Sequence, residues 1–151
     1  MRGAIFDLDG TLADTAEDLL AAANVALAPY GLPALVLEED RAHAGRGGRS
    51  MILRALERAG VAADDPEADA LVRRAYPELL VAYERDIARR TRLFDGVEAC
   101  LDALEAAGWR LGVCTNKPER LAHRLLGELG VMDRFGAVLG ADSLPVRKPD
   151  P

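Results

Sequence analysis

The chain has 151 residues, half of them hydrophobic and 29% charged, with a formal net charge of -6, which suits one ordinary globular domain carrying a smaller insertion. That balance offers none of the clustered Lys and Arg that nucleic acid or an anionic membrane surface selects, so an anionic partner has to be met by a locally built site. No stretch has the length of a membrane span or the basic start and apolar core of a secretory signal, which predicts a cytoplasmic protein without a membrane partner.

In chain order, GAIF at residues 3–6 is a short continuous apolar run, the pattern of a parallel strand buried on both faces. It ends on Asp7 and Asp9. From Thr15 the period changes to that of a helix, with Thr15 and Asp18 as its capping pair and Gly31 as its stop. A second helical stretch over 38–43 runs into the loop AGRGGRS, and a third, MILRALERAG, closes at Gly60. A long helical pattern follows through residue 90 with Pro77 inside it, which is expected to kink or divide the helix. VEACLDALEAAG is then a helix, WRLGVCT a strand, PERLAHRLLGELG a helix and FGAVLG a strand. Strand and helix in alternation imply right-handed crossovers and a parallel sheet. The fold class is therefore α/β, a Rossmann-like core of residues 1–14 and 92–151 with a helical domain of residues 15–91 inserted after the first strand.

Open parallel sheets bind ligands beyond the carboxyl ends of their strands. Three such ends are visible: Asp7 to Asp9, Thr115 with Asn116, and a Gly140-Ala141-Asp142 turn leading to Arg147 and Lys148. Residues two apart in extended chain project to one side with Cα atoms roughly 6.5 Å apart, so Asp7 and Asp9 can address one centre. Two carboxylates so close repel unless a cation neutralises them or one holds a proton. A small hard cation such as Mg²⁺, bound through oxygens, suits the pair. Thr115 and Asn116 alone would read as a strand terminus with an Asx turn, and Lys148 as a solvated lysine with Arg147 as its rival. Lys117 reads as a surface lysine, with contact to the phosphate region as the alternative. In the loop Gly45-Arg46-Gly47-Gly48, Arg46 has the chemistry to grip a small carboxylate in bidentate fashion, and the loop's backbone amides can face a substrate; the alternative is a solvated arginine in a glycine turn. His43 and His123 fall on helical patterns without a ligand cluster. Trp109 reads as packing, and Cys100 and Cys114 as buried small hydrophobes.

DLDGTLADT resembles the first motif of the haloacid dehalogenase-like hydrolases, and VCTNKP and RKPDP resemble their second and third. The order, spacing and strand context agree, the resemblance covers essentially the whole chain, and TNKP, KPDP and AGRGG make it most similar to the phosphoglycolate phosphatase branch. Residues 15–90 resemble the family's helical cap.

The resemblance implies a phosphomonoester hydrolase acting on a small phosphorylated metabolite such as 2-phosphoglycolate, as a monomer or homodimer. Asp7 would be the nucleophile that becomes an aspartyl phosphate. Asp9 would be the acid and then the base, protonated at the start of the cycle. Thr115, Asn116 and Lys148 would hold the phosphoryl group, with Lys148 selected by KPDP. Mg²⁺ would bind the Asp7 carboxylate and the Asp9 main-chain carbonyl, and Arg46 with Gly47 would set specificity. The family's fourth motif, an acidic pair on a further strand, is expected beyond Pro151. On that expectation GAIF is an exposed apolar edge and Mg²⁺ binding is weak. A non-catalytic phosphoacceptor, an inactive remnant, a phosphomutase and a dehalogenase are the alternatives. An insertion of this size after the first strand favours the enzyme over the phosphoacceptor.

Overall fold

The sheet is built from three of the apolar runs: β1 (Arg2–Phe6), β4 (Trp109–Cys114) and β5 (Ala137–Leu139). Their order is β1-β4-β5, and both pairings are parallel. The computed structural model describes residues 2–146, 148 and 149. The register sets Phe6 opposite Val113 and Cys114 opposite Leu139, so the three strands stop almost level and the loops that follow them start side by side. Among the described residues β1 lies at an edge of the sheet, with Ile5 69% exposed. The helices α5 (Val97–Ala106) and α6 (Glu119–Glu128) provide the crossovers. Leu101 of α5 and Leu121, Ala122, Leu125 and Leu126 of α6 are fully buried, each leucine contributing about 1.5–3 kcal/mol by leaving water.

Two compact units result, Met1–Asp14 with Thr91–Pro151, and Thr15–Arg90. The first also carries a two-residue antiparallel ribbon, β2 (Ala13–Asp14) with β3 (Arg92–Leu93), too short to leave a period in the sequence. The second unit is all helix: α1 (Ala16–Leu27), α2 (Leu37–Ala44), α3 (Gly48–Arg58) and α4 (Pro66–Arg85). Alanines at 22, 23, 26, 68, 75 and 82 are buried on α1 and α4 beside Leu19, Leu20, Leu27 and Leu79, and α1 packs on α4 through these small side chains. The turn after α1 is pinned by Asn24, whose amide donates to the Leu35 carbonyl (2.9 Å) and accepts from the Leu35 N–H (2.8 Å).

Several expectations need correction. The division at Pro77 does not occur, since α4 runs through it as one helix. Thr15 stands at the N-cap of α1 without a side-chain cap bond, and the Asp18 carboxylate instead accepts from the Arg90 N–H at 2.8 Å, fastening the end of the unit to its beginning. Cys100 is exposed and Cys114, the last residue of β4, is half-buried, so neither is the buried small hydrophobe expected. Trp109 packs under the Arg2 guanidinium, 5.9 Å from its ring centroid.

Candidate active site

The loop after β1 is wound around one buried side chain. Leu8 is 0% exposed, and its carbonyl accepts from the N–H groups of Thr11 (3.3 Å), Leu12 (3.0 Å) and Ala13 (3.1 Å). Gly10, at φ 77°, makes this tight turn without a Cβ penalty and donates its N–H to the Ala13 carbonyl. With Leu8 anchored, the residues on either side of it, Asp7 and Asp9, are both displayed at the strand end.

Each carboxylate meets one lysine. Lys148 Nζ lies 3.1 Å from Asp7 Oδ1, and Lys117 Nζ lies 3.1 Å from Asp9 Oδ1. Asp7 Oδ1 also accepts from the Leu8 N–H at 2.7 Å, so both contacts fall on one oxygen. The two pairs differ in exposure: 38% and 35% for Asp7 and Lys148, 13% and 4% for Asp9 and Lys117. Lys117 is therefore no surface lysine. It follows buried Thr115 by two residues, and nothing in its local sequence pairs it with Asp9.

Thr115 is buried directly after β4, its N–H bonded to the Leu139 carbonyl at 2.9 Å. Its Oγ1 accepts from the Lys117 N–H at 3.1 Å, which leaves the hydroxyl proton for another acceptor. Asn116 is exposed, and its amide donates to the Lys148 carbonyl at 3.3 Å, tying the segment that carries Lys148 to the end of β4. Arg147 lies outside the described residues.

Bracing comes from the turn after β5, Gly140-Ala141-Asp142, which the sequence places at the strand end without a role for its own residues. Ala141 N–H donates to the Lys117 carbonyl (2.9 Å). Asp142 Oδ1 accepts from the first amide of α6, Glu119 N–H (2.7 Å), and Ser143 Oγ bonds both Glu119 and the Gly140 N–H. Gly140 is required by close approach, since a Cβ there would lie 2.2 Å from Glu119 N. Asp7, Asp9, Thr115, Asn116, Lys117 and Lys148 are thus brought together at one end of the sheet.

Arg46 and Gly47 belong to the helical unit, in the turn between α2 and α3. Their N–H groups bond back to the His43 and Ala44 carbonyls (both 3.1 Å), and Gly47, at φ 92°, stands at the N-cap of α3. Arg46 is exposed. The next residue, Gly48, packs against Tyr76, whose Cε2 would lie 2.7 Å from a Cβ.

Among the described residues no three His, Cys, Asp or Glu side chains gather as metal ligands. The strand end offers the carboxylate oxygens of Asp7 and Asp9, which suit a hard divalent cation completed by water and phosphate oxygens.

A parallel sheet with its charged residues at the carboxyl ends of its strands is the arrangement of an open α/β fold that binds ligands at that edge. The chain matches the model of the haloacid dehalogenase-like hydrolases over residues 1–151 and belongs to that family. It is 42% identical over 151 residues to a phosphoglycolate phosphatase of Cereibacter sphaeroides, covering 100% of this chain and 67% of that one. It is 43% identical over 150 residues to one from Xanthomonas campestris, covering 99% and 64%. Among solved structures, a predicted phosphoglycolate phosphatase from Haemophilus somnus superposes with a TM-score of 0.80 at 30% identity, over 98% of this chain and 66% of that one. The chain thus spans about two thirds of the length of the relatives it matches.

Proposed function

We propose that the chain acts as a phosphomonoester hydrolase that passes through an aspartyl phosphate on Asp7 and takes a small carboxylated phosphate ester, 2-phosphoglycolate, as substrate. The observation that carries this reading is the pair of strand-end carboxylates, Asp7 and Asp9, each facing its own lysine at 3.1 Å.

An Asp7 oxygen attacks phosphorus, the ester P–O bond breaks, and the departing alkoxide takes a proton from Asp9. A water then attacks the phosphoryl group, giving its proton back to Asp9. The acyl-phosphate bond breaks, and inorganic phosphate leaves with Asp7 restored. Thr115 Oγ donates its proton to a phosphoryl oxygen, and Lys148 holds positive charge beside the reacting Asp7. A divalent cation, Mg²⁺, held by the Asp7 carboxylate and the Asp9 carbonyl, supplies further neutralisation of the phosphoryl oxygens when bound. The helical unit serves as the cap, and Arg46, with Gly47 beside it, sets specificity by pairing with the substrate carboxylate in bidentate fashion. Support for the substrate comes from the relatives called phosphoglycolate phosphatases.

The test is a panel of phosphate esters assayed with Mg²⁺ for released phosphate. Hydrolysis of 2-phosphoglycolate ahead of uncharged alkyl phosphates is expected, and equal rates across the panel would remove the substrate assignment.

A further inference from the structure

The loop that leaves β4 lies along the residues that leave β5, and the two are joined at each position from Leu139 to Asp142. The Leu139 carbonyl accepts from the Thr115 N–H at 2.9 Å. Gly140 passes so close that a Cβ there would lie 2.7 Å from the Lys117 carbonyl oxygen and 2.2 Å from Glu119 N. Ala141 donates its N–H to the Lys117 carbonyl at 2.9 Å, and Asp142 Oδ1 accepts from the Glu119 N–H at 2.7 Å. Of these joints, the last is the one made by a side chain.

Its origin is telling. Pro118 stands at the N-cap of α6 and has no side-chain oxygen to offer the first turn, so the helix cannot cap itself. The acceptor arrives from Asp142, 23 residues further along the chain. A cap carried by the preceding residue would secure the helix alone, whereas one carried by the β5 turn also fixes the loop before the helix. Ser143 Oγ reinforces the turn by accepting from the Gly140 N–H at 2.7 Å and bonding the Glu119 carboxylate. Between the fastened ends lie Thr115 and Asn116, and the Asn116 amide extends the hold to the Lys148 carbonyl.

We infer that Asp142 is a positioning residue for the phosphoryl-binding loop: by capping α6 from the β5 turn it holds Thr115, Asn116 and, through Asn116, Lys148 at a fixed spacing. This rests on the phosphatase reading above and leaves contact with the phosphoryl group to those three residues. Asp142 is itself exposed, so its replacement is expected to leave the core intact and to be read at the loop.

The experiment uses the full chain with Asp142→Ala and Asp142→Val, which remove the acceptor, and Asp142→Asn, which keeps it; two removals are made so that the result does not hang on one variant's folding. Residue-resolved amide exchange reads the loop. In both removals the Lys117 and Glu119 amides exchange at least about fivefold faster than in wild type, while those of Val113 and Leu125 keep their rates. Hydrolysis of 4-nitrophenyl phosphate with Mg²⁺ reads the positioning: kcat/KM falls about tenfold in both removals and stays within about threefold of wild type in Asp142→Asn. Thr115→Ala/Asp142→Ala loses less than the product of the two single losses, because the loop then has less to position. Wild-type exchange at Lys117 and Glu119 in the removals overturns the inference. So does faster exchange with wild-type kcat/KM, which would make Asp142 a helix cap alone, and so do losses in Asp142→Asn equal to those in the removals or a double variant that loses the full product. A wild-type chain that hydrolyses no phosphate ester overturns the phosphatase reading itself, while the exchange rates still decide whether Asp142 holds the loop, which separates the two failures.

Discussion

The two units handle a sequestered carboxylate in opposite ways. In the helical unit Asp40 is fully buried and closed on itself: Arg54 Nε donates to one oxygen at 2.9 Å, while Arg58 Nη1 and the Val36 N–H donate to the other at 2.8 and 2.9 Å. In the α/β unit Asp7 has a lysine and one backbone amide on a single oxygen, and Asp9 meets a lysine through one oxygen. Arginine forks match a carboxylate in bidentate geometry, whereas an ammonium is a point charge. The comparison separates a carboxylate enclosed inside a helical cluster from two displayed at a strand end.

The largest effect expected from breaking it is at Asp7. Asp7→Asn removes the group proposed to form the acyl phosphate, so turnover of any phosphate ester should fall by roughly a thousandfold or more while the melting temperature holds. A drop in stability with retained turnover would make Asp7 resemble Asp40. The converse holds for Asp40→Ala, which leaves two guanidinium groups without their shared acceptor and costs the helical unit about 2–3 kcal/mol in urea unfolding.

Acid sharpens the same contrast. Burial pushes the Asp40 carboxyl up, but the Arg54 hydrogen bond, the Val36 amide and the charges of Arg58 and Arg54 together hold it below the ordinary 3.8. Because the folded value is the lower one, its stabilisation is complete above the unfolded value of about 3.9 and is lost as pH falls through the folded value. Unfolding followed from pH 6 down to pH 2 should weaken below about pH 4, and Asp40→Asn should flatten part of that decline. The smallest effect is at exposed Arg46: Arg46→Ala should raise KM for 2-phosphoglycolate by about tenfold and leave an aryl phosphate nearly unchanged. Parallel losses on both substrates would assign the arginine to folding or closure.

Much of this was legible in the sequence for physical reasons. β4 reads as a strand because Leu111, Gly112 and Val113 are buried at the centre of a parallel sheet, and the residues just after it are confined to one edge. GAIF, by contrast, is expected to be buried on both faces and is largely exposed, with Ile5 69% exposed at the edge among the described residues. The two-residue ribbon β2 and β3 could not be read, since two residues carry no period. Lys117 was misjudged because a lone lysine after a strand is ordinarily solvated, and only the fold brings Asp9 to it. The Asp40 cluster escaped notice because its arginines lie 14 and 18 residues further along, on another helix. The role of Asp142 as the partner of the first α6 amide depends on the tight passage at Gly140, which only tertiary packing reveals.

The central claim is that Asp7 carries the phosphoryl group and Asp9 removes it. Asp9→Asn, quenched after exposure to a phosphate ester and digested, tests it most directly by peptide mass. The account predicts one phosphoryl group, persistent and mapped to Asp7, with none in the Asp7→Asn/Asp9→Asn double variant; a phosphoryl group on any other residue, or an equal yield in the double variant, would contradict it.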